Sequence, residues 1–308
     1  MSWRERPEAG SLWGIRFMEF VALTFGRRVV GWFLYPVVLY FTLIRGYERA
    51  ASRKYLERVH QRPVSWFEVY RHFLCFGQVT VDRVFLMSDR RNDIRMRFFG
   101  TKPLVDLVQQ NRGGVFLAAH FGSFEAARMI AVEHPQVEMR IVLDDKVNPN
   151  FMRRMAEIDP GFVESIIDPH QSAASLGLEV AAAMREQQWV GFLADRVFGT
   201  ERVLKGRLLG AEVSLPAGPF TVAAAFKAPV VALFPVFTDD GYDVYCEVLT
   251  GSLESSRKTR DEDLAAFAQQ YLDCLESYVR KTPNNWFNFY DYFGDHIDDK
   301  QTNELSDG

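Results

Sequence analysis

The sequence predicts an α/β protein with a mainly parallel central sheet flanked by helices, preceded by an N-terminal hydrophobic helical anchor. Three observations carry this. From Thr101 onward, apolar runs of strand length alternate with helix-length amphipathic stretches, the order that builds a parallel sheet covered on both faces. Glycine and proline punctuate the alternation where helices end. Before residue 60 the composition changes, becoming aromatic, apolar and basic in a chain whose formal net charge is −4.

Taken in order, Val29 to Ile44 is an uncharged run bracketed by Arg27, Arg28 and Arg45 and interrupted by Pro36. It falls short of the roughly 20 apolar residues of a comfortable membrane span. Leu12 to Phe25 is apolar but carries Arg16 and Glu19, as an interfacial amphipathic helix does. Lysine and arginine exceed acidic residues across Met1 to Lys54, which suits an anionic bilayer face. Residues 1–60 are therefore read as membrane-associating helices, with a buried helical hairpin as the competing reading. Whether the segment spans the bilayer or lies in its interface stays open.

Ala50 to Met87 reads as helical with a break near Pro63. Thr101 to Gln110 reads as a helix stopped by Gly113-Gly114, and Val115 to Ala119 as a buried strand. Strands are then expected at Met139 to Leu143, Phe162 to Ile167, Trp189 to Ala194, Val230 to Phe237 and Tyr242 to Leu249. Helices are expected at Pro149 to Glu157, Ser172 to Gln188, Ala217 to Lys227 and Asp261 to Lys281. Residues 61–295 make the α/β domain and residues 296–308 a disordered tail.

The segment GGVFLAAHFGSFEAAR concentrates the chemistry. A buried strand delivers His120 to its carboxyl end, where open α/β sheets place their ligands. Phe121-Gly122 turns the chain, and Ser123 opens a helix with Glu125 in its first turn. A carboxylate accepting from one imidazole nitrogen fixes the tautomer, and the other nitrogen can then take a proton from an alcohol. His120 and Glu125 are thus the candidate catalytic pair. On the pair alone, His120 as a hydrogen-bonded core residue and Glu125 as a charge favouring the helix dipole remain open.

The H-x4-E box at a strand–turn–helix corner resembles the lysophospholipid acyltransferase superfamily and, more closely, the bacterial lipid A biosynthesis (late) acyltransferase family. Two further blocks resemble that family: LADR followed by LLGAEVSLPAGPFTVAAAFKAPVV, and TPNNWFNFYDYF near the C-terminus. The similarity covers roughly residues 15 to 293. It implies transfer of a fatty acyl group from an acyl-carrier-protein thioester to a glycolipid hydroxyl at the cytoplasmic face of the bacterial inner membrane. By that resemblance His120 is the general base and Glu125 its orienting partner, with no metal, no cofactor and no acyl-enzyme. The chain departs from lipid A members in DDKVNPNF and in Asp195-Arg196, and its closing aromatic block looks more like relatives that acylate other bacterial glycolipids or polyene lipids.

Candidate substrate-binding residues are Asp195, Arg196, Lys205, Arg207 and Arg154. Arg196, Arg202, Lys205 and Arg207 gather cations near the rim, suited to a phosphorylated acceptor, a phosphopantetheine arm or an acidic carrier protein. A solvated hairpin explains the same charges. Arg153 and Arg154 follow Asn148-Pro149 as a second phosphate-binding pair, or as a charged helix face.

An acyl-CoA-dependent lysophospholipid acyltransferase and a non-catalytic glycolipid-binding membrane protein are the alternatives. A serine hydrolase lacks its G-x-S-x-G elbow here. No basic domain points to nucleic acid, and Gly113-Gly114 precedes its strand, unlike a dinucleotide-binding turn.

Overall fold

The computed structural model describes residues 21–22, 24–110, 112–144, 152–153, 156, 159–197, 201–256 and 258–294. The expected amphipathic helix at 12–25 lies mostly outside these residues, and the expected helix at 149–157, Arg154 and the tail at 296–308 lie largely or wholly outside them.

A sheet of seven strands forms the centre. The strands are β1 (Arg95–Phe99), β2 (Gly114–Ala118), β3 (Met139–Val142), β4 (Ile166–Ile167), β5 (Trp189–Leu193), β8 (Val230–Thr238) and β9 (Gly241–Thr250), in the spatial order β1-β9-β8-β2-β5-β3-β4. Every pairing is parallel except the β8–β9 hairpin, so the sheet is mainly parallel, as the alternation predicts. β2 lies in the middle and is buried along its whole length, which is why it reads as an unbroken apolar run rather than an alternating one. The two faces of the sheet bury separate sets of side chains, because successive strand residues point in opposite directions. Val115, Leu117, Val230, Ala232 and Phe234 share one core cluster, while Phe116, Val231 and Leu233 share another.

The first face is covered by α7 (Ala173–Arg185), α8 (Ala217–Ala225) and α9 (Arg260–Lys281), through Val180, Ala223, Tyr271 and Leu275. The opposite face is covered by α4 (Thr101–Val108) and α5 (Phe124–Glu133), through Leu104, Ala127 and Ile130. α9 carries three acidic residues in its first turn and Arg280 and Lys281 in its last, matching the helix dipole at both ends. An antiparallel hairpin, β6 (Val203–Leu208) and β7 (Ala211–Pro216), packs on α9, where Gly206 leaves room for Leu272.

Two local expectations change. Residues 162–167, read as one strand, divide into a short helix α6 (Pro160–Glu164) and the two-residue β4, because Asp159 caps a helical turn by accepting from the Phe162 N–H. β1 went unpredicted: in RMRFF the two arginines sit on the exposed side, so the strand shows little apolar signal and is held by β9 alone.

Ahead of the sheet lie α1 (Arg27–Ile44), α2 (Gly46–His60) and α3 (Trp66–Leu86). α1 runs through Pro36 without ending and is long and apolar enough to cross a membrane. It buries a single stripe, Val30, Leu34, Val38 and Thr42, spaced four apart. Val38 presses on Gly77 of α3, where any larger residue would push it away. At its start, Arg27 forms a two-pronged ion pair with the buried Asp82 (2.7 and 2.9 Å), and Tyr242 of β9 donates to the same carboxylate (3.1 Å). The rest of α1 is an exposed aromatic and aliphatic surface, with Trp32 78% exposed. Ser65 and Glu68 close a capping box at the start of α3.

Candidate active site

β2 and β5 are adjacent parallel strands in register, with Ala118 opposite Leu193. Two residues beyond each strand end, at the carboxyl edge of the sheet, stand His120 and Asp195. The shared register makes them neighbours. The His120 Nδ1 lies 2.8 Å from Asp195 Oδ1, and the His120 backbone N–H donates to Asp195 Oδ2 at 3.0 Å. Asp195 is fully buried, whereas the His120 side chain keeps 25% of its surface exposed.

A carboxylate can only accept, so the His120 Nδ1 carries the proton and Nε2 holds the lone pair. Burial pushes the His120 imidazole below its ordinary value, the Arg196 and Arg83 charges add to that, and Asp195 opposes it. Burial alone would raise the Asp195 carboxyl; His120, Arg196 and the Trp286 N–H outweigh it and hold the group ionised, well below the usual carboxylate range.

The chain leaves His120 through a turn that only glycine fits. Gly122 has φ 60°, and a side chain there would collide with the Pro235 carbonyl of β8. Ser123 then caps α5 by accepting from the Ala126 N–H at 3.2 Å. Glu125 follows in the first turn, 4% exposed, and this is where the structure departs from expectation. Its carboxylate accepts from the Ser123 hydroxyl (3.0 Å) and pairs with Arg83 of α3 (3.1 Å). The imidazole partner is Asp195. A helical first turn directs the Glu125 side chain toward α3, while the parallel register brings Asp195 to the ring.

The aromatic segment after α9 completes the corner. Residues 285–287 lie against 120–122 as an antiparallel bridge, with Gly122 N–H donating to Asn285 O (2.7 Å) and Phe287 N–H to His120 O (2.9 Å). The Trp286 indole N–H donates to Asp195 Oδ2 at 3.0 Å, and the Tyr292 hydroxyl donates to the Asp195 carbonyl at 2.9 Å. Behind Trp286, the wholly buried His72 donates from Nε2 to the Trp286 carbonyl (3.1 Å) and accepts at Nδ1 from the Ser52 hydroxyl (2.8 Å). Burial pushes the His72 imidazole down to about 4.

These groups open onto a cleft of ≈ 770 Å³ whose walls are largely apolar, including Phe76, Phe124, Leu176, Phe192 and Phe289. His120, Glu125, Arg83 and Arg196 all line it. Arg196 is braced by the aromatic segment, donating to Phe287 O (2.7 Å) and to Asn288 Oδ1 (3.3 Å), with its guanidinium over the Tyr290 ring.

Of the other expected substrate-binding residues, Asp195 is sealed from the cleft and serves the imidazole. Lys205 and Arg207 sit on exposed positions of β6, the former paired with Glu212, and neither lines the cleft. The hairpin packs on α9, which turns these two outward. Arg154 lies outside the described residues. Arg83 was not anticipated, since an arginine late in an amphipathic helix carries no signal of what it faces. No group of three or more potential metal ligands occurs among the described residues.

The model of the bacterial lipid A biosynthesis acyltransferase family matches residues 69–293, most of the chain and all of the corner around His120. The chain belongs to that family. It is therefore a lipid A-type acyltransferase, which acts on an acyl donor and a lipid acceptor, in a family that is membrane-associated. A search of curated proteins gave no match. In this acyltransferase the match begins within α3, so α1 and α2 lie ahead of it.

Proposed function

We propose that this acyltransferase moves a fatty acyl chain from an acyl-carrier-protein thioester to a glycolipid hydroxyl, at the cytoplasmic face of a bacterial inner membrane. The observation that carries the reading is the His120 imidazole held by Asp195 through Nδ1 while its ring borders an apolar cleft. In this arrangement Nε2 takes the proton of the acceptor hydroxyl as its oxygen attacks the thioester carbonyl. The C–S bond then breaks, and the imidazolium returns the proton to the departing thiolate. Asp195 stabilises the imidazolium between those steps, and Arg83 holds Glu125 as a second, separate ion pair at the cleft wall. The apolar walls suit an acyl chain, whose burial contributes roughly 0.8 kcal/mol per methylene.

The exposed face of α1 suits the membrane side of this reaction. Trp32, Phe33, Tyr40 and Leu43 are exposed together on a helix tied along its other side to α3. Such a helix rests its apolar face in a leaflet without leaving the body of the protein.

The test is product analysis with the full chain in detergent or vesicles. Acyl-carrier-protein and CoA thioesters are compared as donors, and lipids from cells with and without the active protein are compared by mass spectrometry. An ester-linked acyl chain gained by a glycolipid, faster from the carrier protein, supports the reading. Transfer only to lysophospholipid, or release of free fatty acid alone, refutes it.

A further inference from the structure

We propose that Arg83, held by Glu125 and acting with Arg196, forms a subsite beside His120 for a phosphate group carried by one of the substrates. The inference rests on the reading of the cleft as the site of acyl transfer.

Arg83 reaches the cleft from α3 with 38% of its side chain exposed, while its partner Glu125 is almost completely buried. The pair is asymmetric. The Glu125 carboxylate is itself fixed by the Ser123 hydroxyl at the start of α5, so a group that water hardly reaches holds an arginine that water does. The contact runs through the Arg83 Nε, which directs the guanidinium relative to the carboxylate. Holding a long side chain in place before the ligand arrives lowers the entropy that binding costs.

Arg196 is held in the same manner from another element, by the Phe287 carbonyl, the Asn288 amide oxygen and the Tyr290 ring. Both guanidinium groups line the same cleft as His120, and both charges lower its imidazole. Planar guanidinium forks match the oxygens of phosphate esters and provide strong, charge-assisted hydrogen bonds to them.

That chemistry has two sources in the proposed reaction. One is the phosphodiester of the donor's phosphopantetheine arm; the other is a phosphate on the acceptor sugar.

The experiment measures equilibrium binding to the full chain in detergent, so it needs no turnover. Two probe pairs separate the sources: 4′-phosphopantetheine against pantetheine, and glucosamine 1-phosphate against glucosamine. Expected is a preference for the phosphorylated member of one pair, by roughly tenfold to a hundredfold, the value of one or two hydrogen bonds to a charged group. The pair that shows it names the source. Arg83→Met should remove the preference and leave binding of the unphosphorylated member unchanged, and Arg83→Lys should restore only part of it.

Because Arg83→Met strands the Glu125 carboxylate, the double variant Arg83→Met/Glu125→Gln is measured as well. It removes the buried charge and should lose the preference equally. Equal binding within both pairs by the wild type, or a preference that survives both variants, overturns the inference. Equal binding within both pairs by a wild type that still transfers acyl groups overturns this inference alone, whereas a phosphate preference in a wild type that transfers no acyl group overturns the proposed function alone.

Discussion

His72 and His120 both bond the backbone of the 286–287 segment, and burial depresses both imidazoles, yet their surroundings assign them opposite work. His72 spends both ring nitrogens on the protein, one on the Ser52 hydroxyl and one on the Trp286 carbonyl, and it has no exposed surface. His120 spends only Nδ1, on Asp195, and presents its remaining surface to the cleft. The number of ring nitrogens already used distinguishes a histidine that holds structure from one available for chemistry. The two carboxylates nearby show the same contrast. The Asp195 carboxylate is enclosed by three donors from two segments, whereas Glu125 anchors a cation that reaches the cleft.

Exchanging the two histidines for alanine tests this contrast most strongly. His120→Ala should lower acyl transfer by about 10³-fold or more, within the range for loss of a positioned general base, in protein that still folds. His72→Ala should instead cost about 2–4 kcal/mol of stability in denaturant titration, through a cavity and two stranded polar partners, with activity retained in the folded fraction. The opposite pattern would exchange their roles.

The next effect is on stability against pH. His72 is depressed from 6.5 to about 4 in the folded protein, so the folded state binds fewer protons than the unfolded one in that window. Its contribution is complete above pH 6.5 and is lost as pH falls toward about 4, amounting to on the order of 3 kcal/mol. Unfolding free energies measured across this window should show that slope, and His72→Gln should flatten it. Activity should respond separately: with the His120 imidazole held below its ordinary value, the acid limb of kcat/KM should lie below pH 6.5.

The carboxylates separate next. Asp195→Asn should reduce kcat by roughly a hundredfold, because an amide favours the wrong tautomer and no longer stabilises the imidazolium. Glu125→Gln should cost less and appear mainly in KM. A larger kcat loss for Glu125→Gln would make Glu125 the partner of the imidazole during turnover. The smallest change expected is for Trp286→Phe, which removes one hydrogen bond to Asp195 and should lower kcat about tenfold with KM unaltered.

Much of this was legible in the chain. The buried runs of β2, β5 and β8, with the helices between them, gave the sheet, because their apolar periodicity is a local property. His120 was legible because it follows such a run directly. The division of residues 160–167 was not, since a two-residue strand has no periodicity, and β1 was not, since its arginines mask it. Lys205 and Arg207 show the limit of charge counting: four cations close in sequence part company when a hairpin docks on α9.

The sequence by itself therefore determined an α/β acyltransferase fold with His120 at a strand end and an apolar N-terminal helix, and it offered a candidate carboxylate partner nearby. Which carboxylate meets the imidazole was decided only by the tertiary structure. Spacing along the chain favoured Glu125, five residues away, but hydrogen bonding depends on which strands are neighbours. The β2–β5 register places Asp195 beside the ring from 75 residues away, and Trp286, from still further along, secures it there.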